Sequence, residues 1–217
     1  MSNSPSAQLF SNPFCLAYWK TAANELKKPK IIVLAALFIG LDIALGTIFI
    51  PIPGAQNLRV YFTFLVKGLG SMIYGPVVGV LTGMVGDIIG NILFPSGPFF
   101  FGYTLTAMLS GLFYGLFFYR AKIGPVRLVF CKLSVNWLIN VLLGSVWSAM
   151  LYGKGYLYYL STSIVKNTLL LPLEVVMFML FFGCMMPILL QMKLVPPGML
   201  CFKKKGNLSS STDGSLV

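Results

Sequence analysis

The chain has 217 residues, of which 57% are hydrophobic and only 10% are charged, whereas soluble domains carry about 25% charged residues. This composition excludes a soluble globular domain and predicts an all-α polytopic membrane protein. The chain has no histidine, only five acidic residues and a net charge of +11, which excludes His-based metal sites and Ser-His-Asp triads.

Residues 1–30 are polar and basic, and they predict a cytoplasmic N-terminal segment rather than a secretory signal peptide. Six apolar runs follow between Pro and Gly breakers, and residues 31–192 are therefore interpreted as a six-helix membrane domain. The second run is short, and the sixth is long with two prolines that predict a kink. Residues 193–217 are polar and Ser-rich, which predicts a disordered cytoplasmic tail. The six runs are Ile31–Ile50, Val60–Tyr74, Val77–Phe94, Phe99–Tyr119, Leu128–Leu151 and Ile164–Met192.

The basic residues predict the orientation in the membrane. With the N-terminus in the cytoplasm, most Lys and Arg residues fall on the inner side, as the positive-inside rule requires. An even number of spans then places both termini in the cytoplasm, and the positive charge follows from topology rather than from nucleic-acid binding. The inner basic residues are Lys20, Lys27, Lys28, Lys30, Arg120, Lys122, Arg127, Lys193, Lys203, Lys204 and Lys205.

Five basic residues need another explanation. Lys132 lies just inside the fifth run, where its side chain can snorkel to the inner interface. The other four fall toward the outer side, where a cation at membrane depth usually marks a ligand site or a pathway. Snorkelling to outer headgroups is the alternative, and for Lys67 the alternative is an ion pair with Asp87 at similar depth. The four outer cations are Arg59, Lys67, Lys154 and Lys166.

Small residues form two further patterns. The third run is so rich in glycine that it is expected to pack tightly inside the bundle. The first run carries three small residues at four-residue spacing, which places them on one helix face that another helix can approach closely. No Gly-x-x-x-x-Gly-Lys-Ser/Thr motif occurs, so a transport function would need a gradient or an energising partner. The three small residues of the first run are Ala36, Gly40 and Ala44.

Four segments in order resemble the substrate-binding (S) components of energy-coupling factor (ECF) transporters, with the folate type the nearest. The resemblance covers about residues 25–192. Its segments are RVYFTFL from Arg59, YGPVVGVLTGMVGDIIG from Tyr74, PFFFGYTLTAMLSGLFY from Pro98 and IVKNTLLLPLE from Ile164.

The resemblance implies a multi-pass protein of the bacterial plasma membrane that binds a vitamin near the outer face, without enzymatic activity, cofactor or metal. It implies partnership with a transmembrane coupling subunit and two ATPase subunits, with Ala36, Gly40 and Ala44 docking on the coupling subunit. It also implies a substrate pocket built from outer loops and outer helix halves. The candidate substrate-binding residues are Arg59, Tyr61, Phe62, Lys67, Tyr103, Trp137, Lys166 and Asn167.

Three alternatives stay open at this point. Folate carries a pterin ring and two carboxylates, which aromatic side chains and cations can bind, but a smaller anionic vitamin such as pantothenate would suit the cations equally. An intramembrane enzyme would need a nucleophile and a base, for which Ser163 and Lys166 are the only weak candidates. A scaffold subunit would bind no small molecule and would show no ligand-dependent thermal stabilisation.

Overall fold

The protein is built almost entirely from helices, and its computed structural model describes residues 15–51, 59–95, 98–153, 155–192, 194–196 and 199. A π-helical segment, Val135–Leu143, joins α5 to α6 without interruption. Two short strands, β1 and β2, form an antiparallel pair between α2 and α3, with Ile50 opposite Val60. The elements are α1 Leu16–Glu25, α2 Pro29–Thr47, β1 Phe49–Pro51, β2 Arg59–Tyr61, α3 Thr63–Leu93, α4 Phe101–Phe118, α5 Pro125–Ser134, α6 Gly144–Tyr152 and α7 Tyr156–Gln191.

Five helices of the described residues are long and apolar enough to cross a membrane. They confirm the predicted class, an α-helical multi-pass membrane protein, since helices satisfy their backbone hydrogen bonds without water. The predicted first, fourth, fifth and sixth spans each fall on one of these helices, whereas the second and third both fall within α3. The five are Pro29–Thr47, Thr63–Leu93, Phe101–Phe118, Pro125–Tyr152 and Tyr156–Gln191.

Helix α3 is two arms joined at the Gly-Pro breaker that the sequence indicates. Gly75 has φ +84° and ψ 178°, a conformation that glycine adopts without the steric cost of a Cβ atom. The Ser71 Oγ atom lies 3.0 Å from where a Cβ of Gly79 would be, although eight residues of straight helix span about 12 Å. The arms 63–74 and 76–93 therefore fold back on each other.

Glycines allow the second arm of α3 to pack directly against α4. A Cβ atom on Gly79 would lie 2.8 Å from the carbonyl oxygen of Gly111, and one on Gly83 would lie 2.5 Å from that of Ala107. Real Cβ atoms do not approach this closely, so larger residues would push the two helices apart. The tight packing expected of the glycine-rich third run is thus confirmed.

The N-terminal segment contains a helix that the sequence pattern did not predict. In α1, the buried Tyr18 hydroxyl donates to the Gly115 carbonyl oxygen at 2.9 Å, and burial raises the pKa of this phenol. Glu25 is also buried; its Oε1 atom accepts from the Tyr119 hydroxyl at 3.3 Å and lies 3.4 Å from an Arg120 nitrogen. These contacts attach α1 to the end of α4.

The ordered body also extends beyond the predicted boundary at residue 192. Val195 and Met199 are both buried, and the Ile123 N–H donates to the Met199 carbonyl oxygen at 2.6 Å. The start of the predicted tail therefore packs against the loop between α4 and α5.

Candidate functional site

A cavity of about 270 Å³ lies between α3, α4, α7 and the α5–π-helical rod, next to β2. Its volume is near the lower end of the range of roughly 300–1,000 Å³ found for small-molecule sites. Its wall combines aromatic residues with amides, hydroxyls and charged groups, which is the mixture that orients a polar aromatic ligand. The lining residues are Tyr61, Thr63, Phe64, Lys67, Ser110, Tyr114, Lys132, Val135, Asn140, Lys166, Asn167, Leu170 and Glu174.

An ion pair lies at the most buried side of this cavity. Lys132 is only 2% exposed; its Nζ atom lies 3.3 Å from Glu174 Oε2 and 3.8 Å from the centroid of the Phe64 ring. Asn136 Nδ2 donates to the same Oε2 atom at 2.7 Å. The expectation that Lys132 snorkels to the inner interface is wrong, because a carboxylate and an aromatic face inside the bundle hold its ammonium group.

The π-helical segment brings a second amide into the same network. Asn140 lines the cavity, and its Nδ2 atom donates to Asn136 Oδ1 at 3.3 Å. A π-helix has a wider turn than an α-helix and often occurs at functional sites. The polar chain therefore runs from Asn140 in the cavity wall through Asn136 to Glu174 and Lys132.

Lys67 pairs with a different carboxylate from the one expected. Its Nζ atom lies 3.5 Å from Asp42 Oδ2 and so links α3 to α2, while Asp87 Oδ2 accepts from the Thr104 hydroxyl at 2.7 Å. The alternative that pairs Lys67 with Asp87 is wrong, because the two side chains face different helices, Lys67 facing α2 and Asp87 facing α4.

The more exposed side of the cavity carries three of the sequence-predicted residues. Tyr61 is 38% exposed, and Lys166 and Asn167 are half-buried. Lys166 and Glu174 are eight residues apart on α7, which corresponds to roughly 12 Å along the helix axis. The cavity thus has cations along its length and, among the described lining residues, a single carboxylate at its deep side.

The other predicted site residues lie elsewhere or beyond the structural description. Tyr103 shares a hydrogen bond of 3.3 Å with Ser148, Phe62 packs against the hydrophobic core, and Trp137 is 39% exposed; none lines the cavity. Arg59 is described only as backbone in β2, and Lys154 lies outside the described residues. The roles of these residues in ligand binding stay predictions.

Four residues of the polar network were missed as candidates from the sequence. Lys132 and Glu174 could have been identified from the sequence, since an ionisable residue inside a transmembrane helix marks a functional site by default. Glu174 is also one of only five acidic residues in the chain. The two amides carried no such signal, because their orientation depends on the π-helical turn. The four residues are Lys132, Asn136, Asn140 and Glu174.

The small residues of α2 form an open surface. Ala36, Gly40 and Ala44 are all exposed, and a Cβ atom on Gly40 would have no heavy atom within 4 Å. The opposite side of α2 packs into the core through residues such as Phe38. Within the described part of the chain, no helix covers the small-residue face, which leaves it accessible to another helix.

Comparisons with known proteins agree on one family. A family profile described as "ECF-type riboflavin transporter, S component" matches residues 27–193. The folate transporter FolT of Clostridium novyi is 28% identical over 151 residues, which are 70% of this chain and 87% of that protein. The FolT of Leuconostoc mesenteroides is 30% identical over 149 residues, 66% of this chain and 79% of that protein. A crystal structure of FolT bound with folic acid superposes with a TM-score of 0.63 at 28% identity, covering 70% of this chain and 91% of that one.

Proposed function

Because the chain belongs to the family of S components of ECF-type transporters, we propose that it binds folate in the cavity between α3, α4, α5 and α7. The family consists of transporter components rather than enzymes, which argues against the alternative of an intramembrane enzyme. The observation that carries the proposal is the composition of the cavity wall, in which lysines, amides and aromatic rings surround a space of ring-system size. Two similar proteins are folate transporters, and a similar solved structure contains folic acid.

Folate matches the distribution of charge in the cavity. Its two carboxylates need cations, which Lys67 and Lys166 supply in the wall and Arg59 would add from β2. Its pterin ring needs stacking surfaces and hydrogen-bonding groups, which Tyr61 and the deep polar network supply. Pantothenate would use the cations but would leave the polar network at Glu174 without a heteroaromatic ring to bind.

The proposal includes partners, topology and location. The exposed face of Ala36, Gly40 and Ala44 would dock on a transmembrane coupling subunit that is energised by two ATPase subunits, in a bacterial plasma membrane. Each arm of α3 would count as one membrane segment, which with the other four candidate spans makes six and leaves both termini in the cytoplasm.

The cations proposed to hold the carboxylates provide the first test. Arg59→Gln and Lys166→Gln should each weaken folate binding about ten- to a hundred-fold, since a hydrogen bond to a charged group contributes roughly 1.5–3 kcal/mol. Binding of the free pterin fragment, which lacks the glutamate, should not change. Isothermal titration of the purified protein in detergent measures both affinities, with Lys20→Gln on the exposed face of α1 as the control. Unchanged folate affinity in both variants would show that these cations are interfacial anchors.

The small-residue face of α2 provides the second test. Gly40→Leu should reduce co-purification of the coupling and ATPase subunits while ligand affinity remains, because the leucine side chain holds a facing helix away. Gly183→Leu is a matched control, since Gly183 is also an exposed helical glycine with no heavy atom within 4 Å of its Cβ position. Normal complex formation by Gly40→Leu would contradict the docking role.

The orientation provides the third test. In a variant with all four native cysteines replaced, Gly155→Cys at the start of α7 should react with an impermeant thiol reagent added outside intact cells. Gly124→Cys before α5 should react only after the membrane is opened. Outside labelling at Gly124 would invert the topology and place the cavity on the opposite side.

A further inference from the structure

The Glu174 carboxylate lines the cavity and is held through one of its two oxygens. Lys132 Nζ and Asn136 Nδ2 both contact Oε2, at 3.3 and 2.7 Å. Among the residues that the structure describes, no hydrogen-bond donor contacts Oε1, although Glu174 lines the cavity. The Glu174 carboxylate is therefore a hydrogen-bond acceptor in a fixed position, because the Lys132 ammonium and Asn136 amide groups stabilise its charge and restrain it.

The charges of the cavity determine which end of a ligand can reach this acceptor. Lys132 is paired with Glu174, and Lys67 with Asp42. The anionic end of a mixed ligand therefore belongs toward Lys166, and its neutral ring belongs at the deep side, where Glu174 can accept hydrogen bonds. The distance of roughly 12 Å along α7 between Lys166 and Glu174 leaves room for a linker between the ring and the anionic group.

A carboxylate acceptor distinguishes two classes of heteroaromatic ring. A 2-amino-4-oxopyrimidine, as in a pterin, presents two adjacent N–H donors, from its 2-amino group and N3. The two lone-pair sites of Oε1 can accept both. A 2,4-dioxopyrimidine, as in lumazine and the flavin ring, presents one N–H between two carbonyl oxygens. A carboxylate could accept from that single N–H, but it would meet a carbonyl oxygen where a pterin offers the 2-amino donor. The ring would therefore gain one hydrogen bond fewer and suffer repulsion between oxygens.

We propose that Glu174, held by Lys132 and Asn136, is the residue that selects 2-amino-4-oxopyrimidine rings and rejects 2,4-dioxopyrimidine rings in this S component. This inference rests on the proposed function, since it assigns the deep side of the same cavity to the pterin end of folate. It also explains how a member of a family described by riboflavin transport can bind folate instead.

Pterin and lumazine are the matched probes, because they differ only in the 2-amino or 2-oxo group. Titration of the full-length protein in detergent should give a preference for pterin of about a hundred-fold or more. Lumazine lacks one of the two charge-assisted hydrogen bonds and places a carbonyl oxygen against the carboxylate instead. Glu174→Gln should reduce this preference to less than about ten-fold, because an amide offers one acceptor and one donor. Asp87→Asn is the control: it removes another carboxylate of the bundle that does not line the cavity and should keep the full preference.

A second variant allows for a failure of Glu174→Gln to fold. Glu174→Asp keeps the charge but withdraws the carboxylate by one methylene, and it should also lose the preference for pterin. Equal affinity of the parent protein for pterin and lumazine would overturn the inference without any variant. Folate binding with an unchanged preference in Glu174→Gln would overturn the inference and leave the proposed function standing, whereas no binding of folate by the parent would overturn both.

Discussion

Lys132→Met is expected to lower the free energy of unfolding by about 3–5 kcal/mol, the usual cost of removing one partner from a buried ion pair. The variant leaves the Glu174 carboxylate in the bundle with only the Asn136 amide as a described partner. Thermal unfolding of the purified protein in detergent measures the loss as a lower midpoint temperature. The effect should be among the largest of any single substitution, because Lys132 is almost completely buried.

Two controls separate the buried charge from a simple loss of packing. Combining Lys132→Met with Glu174→Gln should recover most of the stability, since the remaining amide can still accept from Asn136 and no charge is left unpaired. Lys28→Met removes a lysine that pairs with Glu25 but is 52% exposed in its side chain, and it should cost no more than about 1 kcal/mol. A double variant as unstable as the single one would contradict the assignment.

Gly111→Ala is expected to lower the free energy of unfolding by about 1–3 kcal/mol, the usual range for overpacking a well-packed interior. The added methyl group would overlap the Gly79 carbonyl oxygen, which belongs to the backbone of the facing arm of α3 and cannot rotate away. Helices α3 and α4 would have to separate, and the contact between Gly83 and Ala107 would be lost with them. Thermal unfolding and the yield of folded protein after solubilisation report this effect.

Gly183→Ala is the matched control for this substitution. Gly183 lies in α7 with open space around its Cβ position, and alanine in a helix is favoured over glycine by roughly 0.5–1 kcal/mol. This variant should therefore be as stable as the parent or slightly more stable. Equal stability of Gly111→Ala and Gly183→Ala would mean that the two helices do not depend on glycine at their contact.

Sequence patterns located the helical segments and several features of the site. Apolar runs between Pro and Gly breakers predict the membrane segments because a helix in lipid must be apolar and uninterrupted over about 20 residues. The same reasoning placed the break of α3 at Gly75, where the structure has a positive φ. Cations outside the positive-inside pattern pointed to Lys67 and Lys166, which both line the cavity.

Pairing between side chains could not be predicted in the same way. A pair between Lys67 and Asp87 was one of two alternatives because both residues lie at similar depth, but depth does not specify which helix a side chain faces. The structure pairs Lys67 with Asp42 of α2, and Asp87 with Thr104 of α4. Lys132 was expected to reach the inner interface because of its position at the start of the fifth apolar run. The sequence of that run does not show that the Glu174 carboxylate of α7 lies beside it.

By itself, the amino-acid sequence determined the membrane-helical class, the approximate position of each apolar segment and the small-residue face of α2. These three features depend only on composition or on residue spacing along one helix, and both can be read directly from the amino-acid sequence. Only the tertiary structure decided that Lys132, Glu174, Asn136 and Asn140 form one network at the deep side of a cavity. Its geometry depends on the π-helical turn and on the packing of α7 against α5, which arise from contacts between residues distant in the chain.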